Sequence, residues 1–408
     1  MANLQLVTRP GSSPQLLPVV YLYGCAQESA AVCQQLCGEI LSEADCAVQY
    51  EVGAPLPQDL TGVRLVAVAV TDRLLAQPEH LLAGLLQTAK SQGVPVLPLA
   101  KPALAKRCMR LFGGFDAAAQ WCAAVQKTIA ADSVDEAQVQ LASFVCYRLG
   151  ELHLDAAAVQ AGIRWYGRDL ELWNRVGAVT GSVQAERRQL LACLRMGDAC
   201  YAEVQAREAQ YWYRKAMGHG ERLVQRTGQP WATLCLAQCC NAVGDLLQYN
   251  ENPSAAAAQY KKSMTLLEGM AEPSAAARQE LAQSYGHMAE LRLAEDDHAA
   301  AEEWLRKKLQ LEEQLAAETA DEAVQVAYAV GTANLAKTVL YQGRYAEAEQ
   351  LYHKGLAILD RLWAEGSALA HQEWQSTCQD LNEFYQMMGD WKAAQLWLDA
   401  AMSGVRPQ

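Results

Sequence analysis

Along most of the chain, apolar residues recur every three or four positions, the period of helices with one buried stripe. Only the first third departs from this. There, short apolar runs at residues 19–23, 47–52, 63–70 and 94–99 alternate with helical stretches at 27–42 and 72–91. Strands alternating with helices of this length predict a parallel sheet covered on both faces. The run 63–70 is almost continuously apolar, as a central strand must be. Breakers at Gly53, Pro55 and Pro57 predict a loop after the second strand. The resulting boundaries are a mobile N-terminus at 1–16, an α/β domain at 17–130, helical repeats at 133–402 and a tail at 403–408.

The helical part repeats. A small site reads Gly150, Gly197, Gly244, Ala289, Ala336 and Asn382, at intervals of 47, 47, 45, 47 and 46 residues. Twelve residues after each stands Gly162, Ala209, Ala256, Ala301, Ala348 or Ala394. Four further on comes a large residue: Tyr166, Tyr213, Tyr260, Leu305, Tyr352 or Leu398. A third small position follows as Ala216, Ser263, Gly355 and Ala401, and is broken by Asp169 and Lys308. Two antiparallel helices approach closely only where side chains are small, and a large residue fills the groove beside the contact. Six copies of this spacing predict about six helix pairs. Ser254 is a candidate N-cap for the Ala-rich helix behind it.

These positions resemble the tetratricopeptide repeat family over about residues 133–402. The family unit has 34 residues. The surplus here falls at 266–277, 309–322 and 357–370, in good helix formers, so longer helices in an all-α superhelix are expected. In that family the first helices line a face that grips a peptide. The resemblance therefore places Glu151, Asp198, Asp245, Glu290, Lys337 and Glu383, each following a small site, in a partner-binding groove. Tyr201, Asn241, Tyr249 and Tyr341 join them. Two readings fit the five acids. One is a carboxylate column beside aromatic side chains, suited to a basic, amphipathic protein or peptide. The other is an ordinary solvated helix face in an acidic chain. Family members that hold acidic chaperone tails use basic and amide residues, and only Asn241 and Lys337 match those in type.

The N-terminal third resembles a diverged TIR domain, with a flavodoxin-like parallel sheet. The matching pieces are the strand 19–23 with its helix, the loop 51–57, the run Val66-Ala67-Val68-Ala69-Val70-Thr71-Asp72 and the segment Gly93-Val94-Pro95-Val96-Leu97-Pro98-Leu99. The resemblance implies homotypic or partner contacts through the loop holding Glu51, Pro55 and Pro57. TIR enzymes that cleave NAD carry a glutamate on the helix after the third strand. The corresponding place is Leu85, so no catalytic residue is expected. Glu79, six residues earlier, is the weak candidate, and an acid in a helix's first turn also simply suits the macrodipole. A receiver domain would need an acidic pair after the first strand, where Gly24-Cys25-Ala26-Gln27 stands.

Charge sharpens the picture. The net charge is −12, yet residues 1–130 hold nine basic and nine acidic residues. The repeats therefore carry the whole imbalance and repel phosphate backbones, which argues against nucleic acid. No stretch approaches the ~20 apolar residues of a membrane span. The thirteen cysteines form no disulfide framework and no C-x-x-C pair, which with no signal sequence implies a reduced cytoplasm. Cys33 with Cys37, and Cys235 with Cys239 and Cys240, sit at helical spacing and read as buried apolar residues, since nothing nearby completes a metal set. No cofactor is expected. The pattern as a whole predicts a bacterial scaffold that holds a protein or peptide and self-associates through its first domain. An NAD-cleaving effector and a peptide-sensing regulator are the alternatives.

Overall fold

The structure, a computed structural model, describes residues 5–9, 17–24, 30–50, 60–76, 79–130 and 134–405. Its sheet has five strands: β1 (Gln5–Val7), β2 (Val19–Tyr23), β3 (Ala47–Tyr50), β4 (Val63–Val70) and β5 (Val96–Ala100). The order is β1-β3-β2-β4-β5. Strands β2 to β5 run parallel, and Leu65–Val70 of β4 are buried on both faces, as the continuous apolar run requires. The sheet is mixed rather than purely parallel. Gln5–Val7 lies antiparallel to β3, with Gln5 opposite Tyr50, so residues 1–16 are not all a free terminus. A three-residue strand is too short to leave a period-2 signal.

Five helices belong to this region: α1 (Ala30–Glu43), α2 (Asp72–Leu75), α3 (Glu79–Ser91), α4 (Ala105–Phe112) and α5 (Asp116–Thr128). The single helix expected at 72–91 is two helices. Pro78 in the sequence lacks the N–H that a continuous helix would use there.

Twelve helices follow as six pairs: α6 (Glu136–Asp155) with α7 (Val159–Thr180), α8 (Val183–Ala202) with α9 (Ala206–Thr227), α10 (Pro230–Tyr249) with α11 (Pro253–Glu268), α12 (Ala275–Ala294) with α13 (His298–Glu318), α14 (Glu322–Tyr341) with α15 (Tyr345–Ala364), and α16 (Ala368–Met387) with α17 (Trp391–Ser403). Surplus residues 309–318 and 357–364 lengthen α13 and α15. After Glu268 the helix stops, where Gly269 and Pro273 favour a turn. The cap of α11 is Asn252 rather than Ser254. Its side chain accepts the Ala255 N–H at 3.2 Å, and Pro253 occupies the first helical position, pushing Ser254 one place inside.

Two compact units divide the chain, Met1–His219 and Gly220–Gln408. In the first, α6 serves two layers. Leu141, Phe144, Val145 and Leu149 share one core with the sheet residues, and Gln140 accepts the Asp45 N–H at 3.1 Å. Arg188 of α8 adds an ion pair to Glu43 at 3.1 Å.

The repeat positions are interior. Gly150, Gly197 and Gly244 are buried, and a Cβ at each would overlap the ring of Tyr166, Tyr213 or Tyr260, respectively. The absent side chain lets each tyrosine ring pack directly against the preceding helix. Ala289 and Ala336 are fully buried in the later pairs, while Asn382 donates to the Ala394 carbonyl at 2.7 Å. Seven residues after each small site the turn holds one left-handed residue: Ala157, Val204, Glu251, Asp296, Gly343 and Gly389. All twelve cysteines among the described residues are buried free thiols.

Gly197→Ala should lower the unfolding free energy by about 2 kcal/mol, because the added methyl must displace a buried ring. Gly167→Ala, on α7 with nothing near its Cβ, should instead raise it by up to about 1 kcal/mol. Val204 is β-branched at φ 59° and 64% exposed, so Val204→Gly should stabilise by about 1 kcal/mol without loss of packing. Urea melts of the three variants check these signs.

Candidate functional site

The acids that follow the small sites are tied to the packing. The Tyr166 hydroxyl donates to Glu151, Tyr213 to Asp198 at 2.8 Å, and Tyr260 to Asp245 at 2.7 Å. Each glycine, its acid and its tyrosine thus act as one set. The set changes in the fourth pair. There the large residue is Leu305, which has no hydroxyl, and Glu290 turns to His287 instead, 3.8 Å away. In the fifth pair Lys337 replaces the acid and reaches Asp380 at 3.2 Å and Glu383 at 3.8 Å.

Two adjoining cavities open in the second unit along these positions. The larger, about 420 Å³, is lined by Asp245, His287, Glu290, Lys308 and Glu312, with Gln279 and Gln283. The smaller, about 320 Å³, is lined by Glu290, His298, Lys308, Lys337 and Tyr341. Their shared wall includes Gly286, Glu290 and Lys308. His287 stacks on Tyr260 with ring centroids 4.7 Å apart, and its Nδ1 stands 3.4 Å from Asp245. Burial opposes the charged imidazole, yet Glu290, Asp245 and Glu280 outweigh it and hold the His287 pKa above its usual value. The pairing with His287 holds Glu290 below the usual carboxylate range, against the effect of burial. Burial pushes Glu312 up to about 7, against the pull of Lys308 at 3.6 Å.

Of the groove residues expected from sequence, the structure brings Asp245, Glu290, Lys337 and Tyr341 onto these cavities, with Glu383 paired to Lys337. Tyr249 and Tyr341 are half exposed, and Tyr341 stacks on His298. Tyr201 is half-buried on α8. Asn241 is a correction. It is buried, donating to Glu280 at 2.6 Å and Ser284 at 2.9 Å, because its partners sit on the next first helix and draw it inward. Leu85 is fully buried in the sheet core, an apolar place unsuited to a charged carboxylate. The side chain of Glu79 and the loop residues Glu51, Pro55 and Pro57 lie outside the described residues.

His287, Lys308 and Glu312 escaped the sequence reading. One signal was present: Lys308 breaks the third small position, and Glu312 follows one helical turn later. Among the described residues no cluster could hold a metal ion, and no helix is long and apolar enough to cross a membrane.

No family model matches the sequence, and no curated protein matches it. Solved structures do. BtubC (BKLC) from P. vanneervenii aligns with a TM-score of 0.50 at 18% identity, over 62% of this chain and 94% of its own. A Podosopora anserina protein of nearly identical, kinesin-light-chain TPR-like repeats gives 0.42 at 14% identity, over 53% and 94%. PilF of Pseudomonas aeruginosa gives 0.41 at 16%, over 65% and 95%. The helical part has the tetratricopeptide-like fold. In this tetratricopeptide-like array the first helices are α6, α8, α10, α12, α14 and α16, and α10, α12 and α14 contribute to the cavities.

Glu312 binds more protons folded than unfolded between its ordinary value, 4.5, and about 7. Its contribution to stability is therefore lost as pH rises through that window. Glu312→Gln should remove this fall, so the variant should gain on the native chain from pH 4.5 to 7 and stay ahead above it. Thermal melts across pH read the difference.

Proposed function

We propose that the chain is a protein-interaction scaffold. The first helices of residues 220–408 would hold a partner protein or peptide, and the α/β region would make homotypic or partner contacts. One observation carries the reading. At one register, five residues after the small site, Tyr249, Tyr341 and Met387 stand 49, 52 and 53% exposed. Beside them Asp245, Glu290 and Lys337 line two open cavities, with Glu383 paired to Lys337. Exposed aromatic and aliphatic groups flanked by charge suit an amphipathic segment, with apolar contacts for affinity and charges for orientation. The acidic excess favours a basic partner and disfavours nucleic acid.

The TIR-like reading of the first region draws support from the order of its parallel strands, β3-β2-β4-β5, which follows the flavodoxin-like pattern. Leu85 in the core favours a contact role over NAD cleavage. The twelve buried free thiols among the described residues suit a reducing cytoplasm.

A photo-crosslinking residue at Tyr341 should trap a partner in cells, while one at Glu303, exposed on α13, should not. Adducts at 303 with none at 341 would defeat the reading. Asp198 and Asp245 are poor places for charge reversal, because each holds a tyrosine hydroxyl.

A further inference from the structure

The larger cavity is one positive charge short. Its wall carries three carboxylates, Asp245, Glu290 and Glu312, against two cations, His287 and Lys308. Even with His287 charged, a single negative charge is left over once Glu312 is ionised.

Glu312 makes the shortfall specific. It is 7% exposed, and its Oε2 has no hydrogen-bond partner. Lys308 stands 3.6 Å from Oε1, beyond hydrogen-bonding distance. Gly331 on α14 makes room for the carboxylate, since a Cβ there would overlap Oε2. A buried carboxylate with an unsatisfied oxygen is costly. Gly331 thus accommodates the carboxylate while its Oε2 stays unpaired. Glu290 points the same way. Its counterparts in the first three pairs are held by tyrosine hydroxyls; Leu305 offers it none, and its partner is His287, 3.8 Å away.

We infer that this cavity receives one arginine side chain of the bound partner, an inference that rests on the partner-binding reading of α10, α12 and α14. A guanidinium adds the missing charge. Its planar fork of five donors can address several carboxylates at once, and it sheds water more readily than an ammonium. Gln279 and Gln283 on the same wall offer amides to the backbone that carries it. Lys308 opposes entry as a like charge beside the pocket and sets a threshold that only a well-placed donor overcomes.

The test uses the full chain and two pools of fluorescent decapeptides, identical in their randomised flanks, with a central arginine or its neutral analogue citrulline. The arginine pool should bind about tenfold tighter, a difference expected of a charge-assisted pair. Glu312→Gln and Glu290→Gln should each erase the preference. Lys308→Met should strengthen arginine binding severalfold, and it stands as an independent arm should a glutamate variant fold poorly. Equal binding of the two pools overturns the inference and leaves the partner-binding face intact. Binding of neither pool, together with no adduct at Tyr341, overturns both.

Discussion

The first three helix pairs depend on how closely a tyrosine ring can approach the backbone of the preceding helix. At Gly150, Gly197 and Gly244 nothing stands between them, and the ring fills the space that a methyl would claim. The hydroxyl at the far end of that ring then has a fixed position, and Glu151, Asp198 and Asp245 sit where it can donate. In these three pairs packing and hydrogen bonding are therefore one arrangement. Where the ring becomes Leu305, the glycine becomes Ala289 and the acid Glu290 loses its donor. A relaxed contact in the core thus appears at the surface as a carboxylate that pairs with His287 in place of a tyrosine hydroxyl.

The same logic explains what could be read in advance. The small and large positions were legible because they recur at nearly constant spacing, so each copy vouches for the others. Strand β4 was legible because burial on both faces demands an unbroken apolar run. Strand β1 was not, since three residues carry no periodicity. Asn241 was misplaced because its partners Glu280 and Ser284 lie about forty residues away, and no local pattern links them. The cavity was visible only as a fault in the repeat. Lys308 stands where Ala216, Ser263, Gly355 and Ala401 keep the interface small. Departures from an otherwise consistent pattern are where function is expected to override packing.

In the first unit, α6 shows how an array can begin without a dedicated cap. Residues 141–146 are buried without interruption, so the helix is apolar on both the sheet side and the α7 side. An end repeat normally turns a polar face outward. Here the sheet supplies the covering layer, and the α/β region is part of what makes the first hairpin stable.

The buried thiols carry a different consequence. Cys193 on α8, Cys240 on α10 and Cys378 on α16 sit in separate hairpins, each with burial raising its thiol to about 11 or 12. Folded, such a sulfur is both protonated and out of reach of an alkylating reagent. Exposure of any one requires its own hairpin to open, which makes the rate of its alkylation a local clock. The chain therefore carries native reporters at intervals along its length, able to distinguish an array that frays from one end from an array that melts as a whole.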